Sequence, residues 1–226
     1  MQKPKDREGV PRLRRRIVYH LAQLEAEPNF AELVEPSRAL LSKLDAFGQS
    51  AVESADAVTR HLALRNRADR RADAIIDDFD LSLLKAVGRD RSDARYVLAY
   101  NGLTMSAIKR MPIEQEVKAL RHLATALDEP GSGLESFKED YQNRITQAAD
   151  TLEAAEDALV QAFEAQAQQS VRRALLRLEV RRLLEKNYAD ILKTHPHDKD
   201  EVELYFLTIQ STARPAPDSE PSLDEG

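Results

Sequence analysis

A spacing of alternating three and four residues links fourteen positions along most of the first half of this 226-residue chain. The series, eleven of whose members are apolar, is Leu41, Leu44, Gly48, Ala51, Ala55, Val58, Leu62, Arg65, Asp69, Ala72, Ile76, Phe79, Leu83 and Ala86. No proline interrupts it between Pro36 and Pro112. Such a spacing keeps one side of a helix apolar and is typical of bundles and coiled coils. It predicts one helix over residues 37–87, roughly 75 Å long, with Leu62 central on its buried side.

The composition agrees with an all-helical chain. It includes seven glycines, no tryptophan, 5% aromatic residues and 32% charged residues. Few glycines argue against a β protein with many turns, and abundant charge suits long helices with one side in water. The sequence predicts an all-α fold, an elongated antiparallel bundle of two long coiled-coil-like helices. Without cysteine, disulfides, thiol nucleophiles and cysteine-based metal sites are excluded.

The second half of the chain repeats the same order of parts. A linker at 129–133 precedes a predicted long helix over 134–194, and a short helix is predicted at 200–210. Shifting residues 37–91 by 108 positions gives eight identities in fifty-five. This similarity indicates a possible internal duplication, in which the two long helices pack antiparallel.

These elements divide the chain into predicted regions. They are a flexible basic arm at 1–9, a first helical half at 10–128, the linker, a second half at 134–212 and a disordered acidic tail at 213–226. The arm lacks the apolar run of a signal peptide, and no stretch approaches the ~20 apolar residues that cross a bilayer. We therefore expect a cytoplasmic protein without membrane contact.

Arginines cluster midway along each predicted long helix. The candidates for an anion-binding site are Arg65, Arg70 and Arg71 on the first helix and Arg172, Arg173 and Arg177 on the second. Antiparallel packing is expected to bring the clusters together at the waist of the bundle. The alternative is that they pair with acidic residues of the same helices, which stabilises exposed surfaces by a few tenths of a kcal/mol per pair.

Metal chemistry has two weak candidates. In the first, His195, His197 and Asp198 alternate in one loop and could hold zinc or nickel, or Asp198 could simply cap the next helix. The second is a set of carboxylates at Asp77, Asp78, Asp80, Glu153 and Glu156, which could hold magnesium or lie on solvated helix surfaces.

Several motifs of known chemistry are absent from the sequence, including a glycine-rich phosphate loop, a Gly-x-Ser-x-Gly elbow and His-Glu-x-x-His. The sequence therefore predicts a non-catalytic structural or protein-interaction protein that has no cofactor and binds a protein partner, with self-association left open. The first alternative is binding of an anion or nucleic acid through the arginines and the basic arm. The second alternative is a metal-dependent helical hydrolase.

Overall fold

The computed structural model describes residue 4 and residues 8–208. This part of the chain forms seven α-helices and no strand, which confirms the all-α prediction. The helices are α1 (Val10–Ala26), α2 (Ala31–Ala86), α3 (Ala94–Ala99), α4 (Met105–Ile108), α5 (Ile113–Asp128), α6 (Glu135–Thr194) and α7 (Lys199–Leu204), with one 3-10 turn at Pro28–Phe30.

The start of α2 differs from the prediction. The helix begins at Ala31, six residues before the predicted start, and Pro36 lies inside it. Pro36 is the sixth residue of α2, so it removes the hydrogen bond that an N–H at this position would donate to the carbonyl oxygen of Glu32. Phe30 and Leu33 are buried, so their packing holds the first turn in place. The Ser37 hydroxyl also donates to the carbonyl oxygen of Leu33 at 2.8 Å.

The other predicted boundaries fall close to the observed ones, and some lie outside the described residues. The helix α6 ends where predicted and begins one residue later, and the linker forms the connection between α5 and α6. Gly131 and Gly133 have positive φ there, which favours glycine. The short helix predicted at 200–210 is α7, which ends at Leu204. Most of the arm and the whole tail lie outside the described residues.

The chain divides into two compact units that differ from the predicted halves. Unit 1 contains residues 1–49 and 172–226, and unit 2 contains residues 50–171. The reason is that α2 and α6 run antiparallel within each unit. The start of α2 therefore packs with the end of α6 in unit 1, although the prediction assigned them to different halves. The predicted internal repeat and the elongated shape stay predictions.

Unit 1 has a core of aliphatic and aromatic side chains. In it, Lys43 of α2 pairs with Glu179 of α6 at 2.9 Å, and Ser37 accepts from Asn187 at 3.3 Å, which shows the antiparallel direction. The core residues are Leu13, Ile17, Leu24, Phe30, Leu33, Leu40, Leu44, Leu176, Val180, Leu184, Ile191, Val202, Tyr205 and Phe206.

Unit 2 is built around Phe79 of α2. The Phe79 ring lies 6.1 Å from Tyr100, 5.8 Å from Phe137 and 5.3 Å from Tyr141 between ring centroids. All three contacts are edge-to-face, the arrangement that aromatic rings prefer. The helices α3, α4 and α5 lie over the C-terminal part of α2, and the core includes Ile108, Val117, Leu120 and Leu123.

Candidate functional site

The α2–α6 pair of unit 2 has a weakly packed stretch between residues 50–65 and 156–169. Its ends are marked by two hydrogen bonds: Gln169 donates to Ser50 at 3.1 Å, and Arg65 donates to Glu156 at 3.0 Å. No residue of α2 from 50 to 65 is fully buried. The α2 side chains at the contact between the helices are small or polar and half-buried, namely Ala51, Ser54, Val58, His61 and Arg65.

One side of this stretch exposes large apolar side chains. Val52 is 61% exposed, Leu62 42%, Val160 47% and Phe163 50%. Each directly follows a residue of the α2–α6 contact, and in an antiparallel pair such positions fall on the same side. We name these four residues the apolar side. The prediction that Leu62 is buried was therefore wrong, because two helices alone leave the flanks of their contact in water.

The helix α5 covers the same side of the α2–α6 pair outside this stretch, beside Asp150 and Glu153 of α6. Arg121 of α5 donates to Glu153 at 2.6 Å and to Asp150 at 3.3 Å, and these acids also follow buried residues of α6. The helix begins at Ile113, and the apolar side is exposed beyond that point. Unit 2 thus has a groove between two helices that is partly filled by a third helix.

Charged side chains lie on both sides of the pair. Asp56 and Glu164 lie one turn beyond Val52 and Val160 and are exposed beside the apolar side. Three of the arginines of α2 directly precede residues of the contact, which places them on the opposite side, and these are Arg60, Arg67 and Arg71. One side of the weakly packed stretch therefore exposes four large apolar side chains beside Asp56 and Glu164. The opposite side carries Arg60 together with Glu53 and the 52% exposed Leu64.

A shallow groove lies beside Arg71. Its volume is about 340 Å³, and its lining consists of Ala68, Arg71, Ala74, Ile75, Arg144, Gln147, Ala148 and Thr151. Arg144 pairs with Asp78 at 3.0 Å and lies 5.1 Å from the centre of the Tyr141 ring. Arg71 has no ion pair among residues 8–208. The groove therefore combines an apolar floor with one available guanidinium.

A buried carboxyl group lies where α5 meets α2. Glu116 is 1% exposed, and its Oε1 has no hydrogen-bond partner in the part of the chain that the structure describes. Burial, and then the negative charges of Asp69 and Asp73, raise the pKa of the Glu116 carboxyl to about 7, while Arg65 and Lys109 oppose this rise. Sequence reasoning missed Glu116, although it directly precedes Val117, one of the buried residues of α5.

The carboxylates proposed for a magnesium site are bound by other side chains. Asp77 pairs with Lys109 at 2.9 Å, and Asp80 accepts from the Tyr96 hydroxyl at 2.9 Å. Asp78 and Glu156 pair with Arg144 and Arg65, and Glu153 pairs with Arg121. Among the described residues, no group of three or more histidine or acidic side chains is arranged to hold a metal ion.

The histidine loop after α6 has a structural role. Asp198 caps α7 by accepting from the backbone N–H of Glu201 at 2.9 Å, as the alternative interpretation predicted. The His195 ring lies 6.0 Å from the Phe30 ring, in a tilted arrangement. His197 is exposed beside them.

The six candidate arginines divide between the units. Arg65, Arg70 and Arg71 belong to unit 2, and Arg172, Arg173 and Arg177 belong to unit 1. Arg65 of α2 pairs with Glu156 of α6, whereas the pairing alternative predicted acids of its own helix. Arg177 donates to the carbonyl oxygen of Glu8 at 3.4 Å, and the other four are exposed. Joint binding of an anion by the two clusters stays a prediction.

Unit 1 contains a buried polar network that the sequence did not reveal. The His20 Nδ1 lies 2.9 Å from the Tyr205 carbonyl oxygen and therefore carries the proton, since a carbonyl only accepts. The Nε2 accepts from Asn187 at 2.8 Å, and the ring stacks on Phe206. Burial lowers the pKa of His20, opposed by the Tyr205 carbonyl. The neutral ring thus has a partner at each nitrogen.

The chain has no match among protein-family models, curated proteins or solved structures. No helix of the described residues is long and apolar enough to cross a membrane.

Proposed function

We propose that this protein is a non-catalytic interaction protein that binds a helix of another protein on the apolar side of unit 2. The supporting observation is the set of four half-exposed side chains, Val52, Leu62, Val160 and Phe163, beside a groove that α5 fills elsewhere. Burying a fully exposed side chain of this kind contributes roughly 1.5–3 kcal/mol, and these four are about half-exposed, so covering each contributes about half of that. Burial of the partner's own apolar side chains adds to this sum and offsets the cost of association.

The titratable groups of unit 2 support binding rather than catalysis. The carboxylates nearest one another are held by lysine, arginine or tyrosine partners. Glu116, one of whose oxygens has no partner among the described residues, is buried away from solvent. A catalytic acid or base needs access to a reacting group. A cytoplasmic location, a protein partner and the absence of a cofactor belong to this proposal.

A photo-cross-linking experiment tests the proposal. Benzoylphenylalanine replaces Phe163 in one full-length variant and the exposed Leu81 in a control, and both are irradiated in the cells that make the protein. We expect a partner cross-linked at 163 and not at 81. The purified partner should then bind Phe163→Ser at least about tenfold more weakly than it binds Leu81→Ser. No cross-linked protein at 163, or equal affinity for the two serine variants, contradicts the proposal.

The groove beside Arg71 favours a second function, binding of a small organic anion. Arg71 supplies an available guanidinium above an apolar floor that includes Ile75 and Ala148. Benzoate is a suitable probe because it joins a carboxylate to a flat apolar ring. We expect Arg71→Gln to abolish the heat of benzoate binding and Arg70→Gln to leave it unchanged. No heat with the unmodified protein contradicts this function.

A further inference from the structure

We propose that the occupant of the apolar side is a basic amphipathic helix of a partner protein, about four turns long. This inference rests on the proposed function and specifies the chemistry of the partner. It depends on three observations in unit 2: the length of the uncovered groove, the way α5 fills its neighbouring part, and the distribution of charge along its edges.

The length of the uncovered groove sets the length of the helix. The weakly packed stretch runs from Ser50, bonded to Gln169, to Arg65, bonded to Glu156. Fifteen residues of helix span about 22 Å, or four turns. An extended peptide is less suitable because the side presents no strand edge and its apolar residues follow helical spacing.

The helix α5 shows what such a groove accepts. Its buried residues follow a helical spacing and face α2 and α6, and they include Ile113, Val117, Leu120, Leu123 and Leu127. The apolar side continues the same groove beyond Ile113. A partner helix with large apolar residues three and four positions apart therefore fits by the same packing of side chains between helices.

The charge of the groove selects a basic partner. The weakly packed stretch, residues 50–65 and 156–169, contains five acidic residues, Glu53, Asp56, Glu156, Asp157 and Glu164, against two arginines, Arg60 and Arg65. Asp56 and Glu164 stand beside the apolar side, whereas Arg60 lies on the opposite side. Lysines or arginines along the outer edges of the bound helix complement these acids. A second copy of this groove would instead bring the same acids face to face, which disfavours self-association here.

Fluorescence anisotropy with defined peptides tests this inference on the full-length protein. The first probe is a helical peptide of about 18 residues with leucines at three- and four-residue spacing and lysines elsewhere. The second has glutamates in place of the lysines. We expect the lysine peptide to bind at least about tenfold more tightly, with a preference that shrinks as ionic strength rises from about 0.05 to about 0.5 M.

Matched variants locate the binding. Phe163→Ser should weaken binding of the lysine peptide at least about tenfold, and Leu81→Ser should not. Combining Asp56→Asn with Glu164→Gln should remove most of the preference for lysine, whereas Asp140→Asn with Glu139→Gln, exposed elsewhere on α6, should not. These substitutions are on the surface, so equal melting temperatures confirm that each variant is folded.

Each other outcome contradicts the inference in a distinct way. Equal affinity for the two peptides shows that charge does not select the partner, while a cross-link at 163 still supports the proposed function. Binding that is insensitive to Phe163→Ser reflects general attraction to an acidic protein. A Phe163-dependent dimer in light scattering, without peptide binding, identifies a second copy as the occupant.

Discussion

Each unit buries several titratable side chains, and His20 of unit 1 and Glu116 of unit 2 differ in how they are bonded. In unit 1, neutral His20 has a partner at both ring nitrogens, the Tyr205 carbonyl and the Asn187 amide. In unit 2, Glu116 is surrounded by other carboxylates and one of its oxygens has no partner among the described residues. The buried polar atoms of the His20 ring are therefore satisfied, whereas the Glu116 carboxyl is a destabilising group in unit 2.

Both units leave large apolar side chains exposed, and those of unit 1 include Leu175, Leu178 and Leu204. Unit 2 contains the apolar side and the groove beside Arg71, and it contains the buried carboxyl as well. Natural proteins depart from the most stable arrangement mainly at functional sites. The buried carboxyl therefore supports our proposal that unit 2 carries the function, and the predictions below test the comparison from the largest expected effect to the smallest.

The largest effect is expected from Glu116→Gln at alkaline pH. The pKa of Glu116 rises from 4.5 unfolded to about 7 folded, so the folded state binds the extra proton and stability is lost as pH rises through this range. The shift corresponds to about 3 kcal/mol, which the variant should regain at pH 8 and not at pH 5.

Urea unfolding followed by circular dichroism at both pH values measures this difference. Protonation of His20 affects the variant and the unmodified protein alike and cancels in the comparison. Glu114→Gln is the control, since Glu114 is exposed and pairs with Lys118. An equal stability gain at pH 5 and pH 8 would show that Glu116 does not titrate in this range.

A smaller loss is expected from Asn187→Ala in unit 1. The change leaves the His20 Nε2 buried without its donor and removes the bond to Ser37, which costs about 2 kcal/mol at pH 7. Asn143→Ala, at an exposed position of α6, should cost little. Thermal unfolding of the two variants measures the difference, and equal melting temperatures would refute the network.

The pH dependence of unit 1 should oppose that of unit 2. Because burial lowers the pKa of His20 below its ordinary 6.5, the unfolded chain binds the proton more readily, and stability falls as pH drops below about 6.5. His20→Leu should lose less stability than the unmodified protein between pH 7 and pH 5. Urea unfolding at these two values measures both slopes, and parallel slopes would contradict the assignment.

The smallest effect is expected from Leu62→Asp. Leu62 is exposed, so a charge there remains hydrated and should change the free energy of unfolding by less than about 0.5 kcal/mol. Ile76→Asp buries a charge in the core of unit 2 and should destabilise it by several kcal/mol. Comparable losses in the two variants would show that the apolar side is covered in the free protein.

The sequence predicted the elements well because local signals determine them. Helical spacing and a clear breaker gave the bounds of α6, and Asp198 was recognised as a cap from its position before α7. The early start of α2 was missed because Pro36 normally marks a boundary, whereas burial of Phe30 and Leu33 holds that turn. Local sequence does not report such packing.

The site was less predictable because it depends on contacts distant in sequence. Periodicity shows which side of α2 is apolar, but not that α5 stops covering it at Ile113. Glu116 and His20 were not singled out because polar residues on helices are usually solvated. Only the helices packed over them show that they are buried.

Amide hydrogen exchange of the full-length protein, with and without a saturating amount of the lysine peptide, tests most directly that unit 2 binds the partner. We expect exchange to slow in residues 50–65 and 156–171 and to stay unchanged in α1 and α7. Slower exchange in α1 or α7, or none in residues 50–65 and 156–171, would contradict the central claim.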